Sequence, residues 1–380
     1  MFRKKDGYHK TALLASQMFG APGGIQTYMR MVAHVLNEAS YLKSAVSLAD
    51  EPEEATARFA QLIVGSGEIS FAAASNSKAK FVTASIAASK GAKSALFGHM
   101  GLAPVGLFLK QMRMITDYGV ILHGREAWHP INRVGKEAMK KATAIICTTP
   151  YTATQSLKYH GTLKTQIDIL PLALEPGRFQ DLSAFEERSP REGNDQLKLL
   201  SIGRLSSAND YKGFDDTIEA IAILKQMGVD NIHYTLVGDG DDRSRLMGIA
   251  KEFQILDRVE FLGFVSDDEI AAQFEQNDVF IMPSSQEGFG LVYVEAMSHG
   301  LPIVACAEGG ASHVLKDGIN GAVVRYGSPL SISNGIMRFM DPGFLNQLSA
   351  NAKKDAKERF SFECFEQGLL RIIDKRFIGK

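Results

Sequence analysis

The sequence predicts an α/β protein built on two parallel sheets, each covered by helices on both faces. Three observations carry this expectation. Short apolar runs alternate with helical patterns along the whole chain, as in repeated strand–helix–strand units. The alternation is interrupted once, by a stretch rich in Pro, Gly, Arg, Glu and Asp over 175–196, and then restarts. Charge divides near the same place. Residues 1–180 carry 21 Lys and Arg against 12 Asp and Glu, whereas residues 181–380 carry 21 against 31. At 380 residues the chain accommodates two or three domains with sizeable cores.

In the first half, a strand is expected at 11–16. Pro22-Gly23-Gly24 follows, then a helix to about Leu36. Strand, glycine loop and helix present backbone N–H groups to an anion at a helix N-terminus. The loop is not the dinucleotide fingerprint, and it has no P-loop lysine. Further strands are expected at 45–48, 69–73, 94–98, 119–123, 144–148 and 167–174. Between 50 and 90 the boundaries are not set, because the Ala/Ser-rich segment 72–89 has weak periodicity. In such sheets ligands sit beyond the C-terminal strand ends, where His99 and His123 fall. A lone histidine there is more often structural, which is the expectation for His99. His123 instead opens His-Gly-Arg-Glu-Ala-Trp, a polar cluster at a glycine turn, with Glu126 as a weaker acceptor-side candidate and Trp128 expected in the core. The segment 103–114 mixes apolar residues with Lys110 and Arg113. An amphipathic helix packed on the sheet is the simpler reading, and docking on a lipid surface the functional one.

In the second half, strand 197–202 ends in Gly203-Arg204. Lys212-Gly213 precedes a helix expected over 214–227. Two cations at one strand end suit a diphosphate and neutralise it as it leaves, although the surface is also where most Arg and Lys reside. Strand 234–237 ends in Gly238-Asp239-Gly240. Asp239 and Asp241 form an Asp-x-Asp pair, but the surrounding pattern is a βα turn, so a metal site is not expected. Strand 259–264 leads to Gly263-Phe264-Val265. The stretch 279–300 is central: an apolar strand (279–282), Pro283-Ser284-Ser285, Glu287-Gly288-Phe289-Gly290, then a helix opening at Leu291. Glu287 sits just before that helix and Glu295 about two turns into it, so both carboxylates can face one cleft from different depths. A plain βα turn with two solvated glutamates is the simpler reading. A strand at 302–306, the Gly309-Gly310 turn, a strand at 322–324, helices at 328–340 and 344–359 and a last apolar helix complete the pattern.

Composition excludes several classes. Cys147, Cys306 and Cys364 are too few and too scattered for a disulfide framework or a zinc site, which suits a reducing cytoplasm. The basic start has no apolar run after it, so no signal peptide is expected. No apolar run is long enough to span a membrane. No basic run is interleaved with aromatics, so nucleic acid is not an expected partner.

The Glu-x7-Glu frame of Glu287 and Glu295, the Gly-Arg…Lys-Gly pairing of Arg204 and Lys212, and the Gly238-Asp239-Gly240 turn together resemble the retaining nucleotide-sugar glycosyltransferases of the GT-B fold, most closely family 4. The resemblance covers nearly all of the second half and only loosely the first, through Gly23-Gly24 and His123. It implies two Rossmann-like domains facing across a cleft: an acceptor-side domain over 1–175, a linker over 176–196 in which Arg178-Phe179 matches the family's Arg-Phe pair, and a nucleotide-sugar domain over 197–360. The last helix, about 361–380, would pack back on the first domain. It implies a donor site in which Arg204 and Lys212 grip the diphosphate, approached by Gly23 and Gly24. Gly203, Gly238, Gly263, Phe264 and Val265 would line the nucleotide. Phe289, Gly290 and Leu291 would surround the helix start, Glu295 would take the ribose hydroxyls, Glu287 the sugar hydroxyls, and His123 would reach the sugar. It further implies no cofactor and no metal, a nucleotide-diphospho-sugar donor, and an acceptor that is a glycan or a polyprenyl-diphosphate-linked glycan. The basic first half would contact an anionic membrane from the cytoplasmic side. A sugar-nucleotide epimerase, a phosphorylase (for which no pyridoxal-phosphate lysine stands out) and an inactive nucleotide-sugar-binding subunit remain open on the same fold. The base, the sugar and the acceptor are not specified by these residues.

Overall fold

A computed structural model describes residues 9–20, 23–63, 69–176 and 196–379. The basic start, nearly all of the 176–196 linker and its Arg178-Phe179 pair lie outside the described residues. The chain divides into two compact units, Met1–Glu175 with Phe362–Lys380, and Pro176–Ser361.

Among the described residues the first unit holds seven strands: β1 Thr11–Ala15, β2 Leu42–Ser47, β3 Ser70–Ala73, β4 Ser94–Phe97, β5 Asp117–Leu122, β6 Ala144–Cys147 and β7 Ile167–Ile169. All pair in parallel, in the order β3-β2-β1-β4-β5-β6-β7. Among its described residues the second unit holds six: β8 Leu197–Ile202, β9 Ile232–Val237, β10 Val259–Gly263, β11 Val279–Ile281, β12 Ile303–Cys306 and β13 Gly321–Val324. They too are parallel, in the order β10-β9-β8-β11-β12-β13. β1, β4, β6, β11 and β12 are buried along their whole length, which is why they read as continuous apolar runs and not as an alternating pattern. Each sheet is doubly wound. Its strand order reverses between β1 and β4 in one unit and between β8 and β11 in the other, and a crevice opens beyond the strand ends at such a reversal.

The structure corrects several boundaries. β7 stops at Ile169 and not at 174: Pro171 has no N–H to give the ladder. The segment with weak periodicity holds two helices, Pro52–Leu62 and Lys78–Ala88. Pro52 stands in the first turn of one, and the Ser77 hydroxyl accepts from Lys80 N at the start of the other. Position-specific start signals there outweigh the small-residue composition that blurred the periodicity.

At the chain end, helix Pro342–Phe360 belongs to the second unit and helix Phe362–Ile373 to the first, separated by the extended Ser361. Phe365 packs edge-on against Tyr28 of helix Gly24–Glu38 (centroids 5.1 Å), and Phe362 against His34 (5.6 Å). Beyond it, Lys375 and Arg376 both hold Asp168 of β7, at 2.8 and 2.6 Å, and Arg376 donates to Thr165 O and Ile167 O. Arg376 thereby occupies the Ile167 carbonyl of an edge strand that would otherwise invite another chain.

Burial holds histidines below their ordinary value of 6.5, among them His9, His123 and His160 in the first unit and His313, lowered to about 4, in the second. The unfolded chain takes up these protons as pH falls through 6.5, whereas the folded rings resist. Their neutral state therefore favours folding above 6.5, and that contribution is lost as pH falls from 6.5 toward the folded values. The melting temperature is expected to drop between pH 7 and pH 5, a window above the usual carboxylate titrations. A flat profile across it would contradict the assignment.

Candidate active site

The strand reversal of the second unit brings together most of the residues singled out in its sequence. β8 ends at Gly203-Arg204. A short 3-10 turn, Ser207–Lys212, carries Lys212 back toward the same edge. Lys212 Nζ donates to Glu287 Oε1 at 2.9 Å and lies 3.8 Å from Met282 Sδ, at the end of β11. The two charged side chains are only 14% and 17% exposed. A pair this desolvated is screened far less than a surface pair. Ser285 N donates to Tyr211 O at 3.0 Å, tying the two loops by their backbones. Gly213 opens helix Phe214–Gln226 with φ +71°, and a Cβ there would stand 2.8 Å from Pro283 O. Only glycine provides both the left-handed turn and the close approach.

Three neighbouring strand ends are joined by glycine. Gly238 has φ +137°, and a Cβ on it would fall 1.9 Å from Gly203 O. Its N–H donates to Gly263 O at 2.8 Å. The result is a floor of bare backbone, with Lys212 beside Gly203 and open space beside Gly263. Phe264 next to it is 84% exposed, and Val265 is half-buried. Arg204 is exposed and makes no hydrogen bond or ion pair among the described residues. Asp239 and Asp241 serve the turn itself. Asp239 accepts from Gly240 N, and Asp241 accepts from Ser207 Oγ and N; the Ser207 hydroxyl holds the Asp241 carboxyl below its ordinary range.

Helix Leu291–Ser298 starts at Gly290, in the left-handed region at φ +83°, with no side-chain cap and no acidic residue in its first turn. Its leading N–H groups and the positive end of its dipole are thus left to an anion. Tyr293 beneath Gly290 donates from its hydroxyl to Met282 O at 2.8 Å, fixing the helix to β11. Glu295 is buried within the helix, and Leu291 is half-buried at its start. Phe289 is 3% exposed and packs against Phe360 (5.7 Å), so toward the open side of the turn it offers backbone only.

In the first unit, Gly23 and Gly24 start helix Gly24–Glu38 beyond β1. Gly23 is an extended N-cap (φ 175°) without a side-chain cap, and Gly24 backs onto Leu172. His123, buried at the end of β5, has Nε2 2.8 Å from Gly98 O. A carbonyl only accepts, so Nε2 carries the hydrogen of the neutral ring. Nδ1 is then an acceptor, buried and without a partner among the described residues. Tyr28 packs edge-on against the ring at 5.2 Å. Glu126 does not point outward to an acceptor: Oε1 accepts from His123 N and Gly124 N and holds the turn. His99 caps its own turn, accepting from Gly101 N at 2.9 Å, and Trp128 packs on the core with Nε1 on Thr152.

Two arrangements escaped sequence reasoning. The buried Asp50 accepts from Met18 N (2.7 Å), Phe19 N (3.1 Å) and Ser47 Oγ (2.6 Å), and so shapes the loop after β1. Arg30 grips Glu175 with two parallel bonds, 2.6 and 2.7 Å, and donates to Met18 O. The partners in these contacts lie as far as 145 residues apart, a separation for which no local spacing gives a signal.

Comparison with known proteins accords with this geometry. Residues 183–359 match the model of the family described as glycosyl transferases group 1. An uncharacterized glycosyltransferase of Methanocaldococcus jannaschii is 31% identical over 209 residues, 53% of this chain and 52% of the relative. The amylovoran biosynthesis glycosyltransferase AmsK of Erwinia amylovora is 27% identical over 184 residues, 47% of this chain and 43% of the relative. The chain spans about half the length of the curated relatives it matches. Among solved structures, Anabaena HepE in complex with UDP-glucose superposes with a TM-score of 0.72 at 19% identity, covering 97% of this chain and 100% of that one. The two doubly wound sheets are thus the two Rossmann-like domains of the GT-B fold, and residues 183–359, most of the second unit, carry the likeness to the glycosyl transferases group 1.

Proposed function

We propose that this chain is a retaining, metal-independent glycosyltransferase that moves a sugar from a nucleotide-diphospho-sugar to an acceptor hydroxyl. The observation that carries the reading is the Lys212–Glu287 pair at the glycine-floored strand reversal, with the uncapped helix start at Gly290 following Glu287 in the chain. Arg204 and Lys212 grip the diphosphate, and the helix N-terminus adds N–H groups. The nucleoside lies along Gly203, Gly238, Gly263, Phe264 and Val265, and Glu295 accepts from the ribose hydroxyls. Glu287 holds sugar hydroxyls and orients the anomeric carbon. The bond from the anomeric carbon to the diphosphate breaks, with its electron pair leaving on the phosphate oxygen. The acceptor oxygen bonds to the same face, and its proton passes to a leaving-group oxygen. The cations offset the charge that develops.

A donor of UDP-sugar type is supported by the UDP-glucose bound to HepE, and an acceptor in polysaccharide assembly by the AmsK likeness. A thermal-shift screen with UDP, GDP, ADP and their sugars, with and without EDTA, tests the site. A ligand at a hundred times its dissociation constant adds about 2.7 kcal/mol of stability. A shift from one nucleotide that survives EDTA is expected. No shift from any nucleotide sinks the donor site, and a shift abolished by EDTA sinks the metal-free reading.

The first unit meets an anionic membrane carrying a lipid-linked acceptor. No helix among the described residues is long and apolar enough to cross a membrane. However, helix Ala103–Gln111 and the turn after it expose Phe108 (40%) and Met112 (61%). The adjoining helix Arg133–Lys141 exposes Val134 (59%) beside Arg133, Lys136, Lys140 and Lys141. Apolar tips among lysines suit an anionic interface. Co-sedimentation with phosphatidylglycerol vesicles, weakened by salt and by Lys136→Glu with Lys140→Glu, is expected. Equal binding to phosphatidylcholine would argue against it.

A further inference from the structure

We infer that Asp355, on helix Pro342–Phe360, is a positioning residue for the Glu287 turn. The inference rests on the transferase reading for its kinetic consequence but not for its structural one. Asp355 is buried and receives three donors. Lys316 Nζ reaches Oδ1 at 2.7 Å, while Asn320 Nδ2 (3.0 Å) and Arg359 Nη1 (2.5 Å) reach Oδ2. These donors seize the segment that follows Gly310. Asn320 also bonds Val314 O and accepts from Lys316 N, and Arg359 donates to His313 O. The upstream end of that segment holds the site. Gly310 N donates to Glu287 O at 2.6 Å, and Gly310 lies so close to Gly288 that a Cβ would stand 2.0 Å from its carbonyl oxygen. A second arm runs through rings: Arg359 covers the Phe360 ring at 4.5 Å, and Phe360 and His313 enclose Phe289 at 5.7 and 6.4 Å.

Both arms end on the two residues flanking Gly288, one on the backbone of Glu287 and the other on the side chain of Phe289. The carboxylate of Asp355 is the node that joins them, because Arg359 takes part in both. With one carboxylate oxygen replaced by an amide, Lys316 and Arg359 lose their shared anion, the segment 313–320 loosens, and the Gly310 bond to Glu287 loosens with it. Glu287 and its sugar contacts then shift relative to the diphosphate grip, while Arg204 and the glycine floor are untouched.

The test is Asp355→Asn, read in two ways. Hydrogen exchange over 284–291 is expected to quicken about tenfold under conditions where the variant remains folded. With the donor found in the screen, kcat is expected to fall by roughly ten- to a hundredfold, with the donor KM nearly unchanged. Asp317→Asn is the control. It alters the exposed Asp317–Arg338 pair of the same segment and is expected to leave 284–291 protected. Exchange that quickens at 313–320 alone, with 284–291 as protected as before, overturns the proposal, as does a kcat loss that merely tracks the unfolded fraction. A wild-type chain that turns over no nucleotide sugar refutes the transferase reading instead, and the exchange over 284–291 still decides the role of Asp355.

Discussion

Arg204→Ala is expected to lower turnover by about a hundredfold or more, with the melting temperature nearly unchanged. The two halves of this expectation have separate causes. Arg204 follows β8 at the strand reversal, is exposed, and bonds to nothing among the described residues. Removing it costs the fold almost nothing. Its proposed work lies in the reaction, where its guanidinium meets the negative charge that grows on the departing diphosphate. Stabilising that charge is the largest catalytic effect such a site supplies. Lys212 differs: it is ion-paired to Glu287 in the same place, so its loss would also leave a carboxylate unpaired and blur the interpretation. Steady-state kinetics with Arg204→Ala, beside a melting curve, is the cleaner measurement. Near-normal turnover would remove Arg204 from the mechanism.

Gly238→Ala is expected to destabilise the fold by about 3 kcal/mol or more, the sum of a forced left-handed backbone and an overpacked contact. The methyl would fall 1.9 Å from Gly203 O, a backbone atom that has no rotamer to adopt, at φ +137°. Relief requires the ends of β8 and β9 to part, which breaks the bond from Gly238 to Gly263 and opens the floor on which a nucleotide would lie. Nucleotide binding should weaken together with stability. Gly228→Ala provides the comparison: φ is +79° with nothing within 4 Å, so only the backbone strain of about 1–2 kcal/mol applies. Urea unfolding with equal slopes would read the difference directly. Equal costs at the two positions would show that the close approach to Gly203 is not tight.

Much of this architecture is legible from local patterns. Parallel strands buried on both faces read as apolar runs, and glycine marks the ends of the elements around them: Gly203 and Gly238 directly follow β8 and β9, and Gly213 and Gly290 directly precede helices. A strand over 167–174 is too long because its apolar residues continue past Pro171, whereas the ladder depends on N–H groups and not on hydrophobicity. Glu126 has the pattern of a free carboxylate in a polar cluster, but its nearest unsatisfied donors are the amides of its own turn, and it bonds them.

From the sequence alone follow the alternation of strands and helices, the interruption between two halves, and the set of glycines, cations and carboxylates at strand ends. These are properties of neighbours in the chain, and short-range sterics and hydrophobic periodicity suffice to express them. Only the tertiary structure decided which of those residues meet. The 2.9 Å bond joins Lys212 to Glu287 across 75 positions, Asp355 is tied to Lys316 across 39, and Asp168 is held by Arg376 across 208. The physical reason is that such contacts are set by the order in which parallel strands stack and by where helices cross back, and no local spacing encodes either.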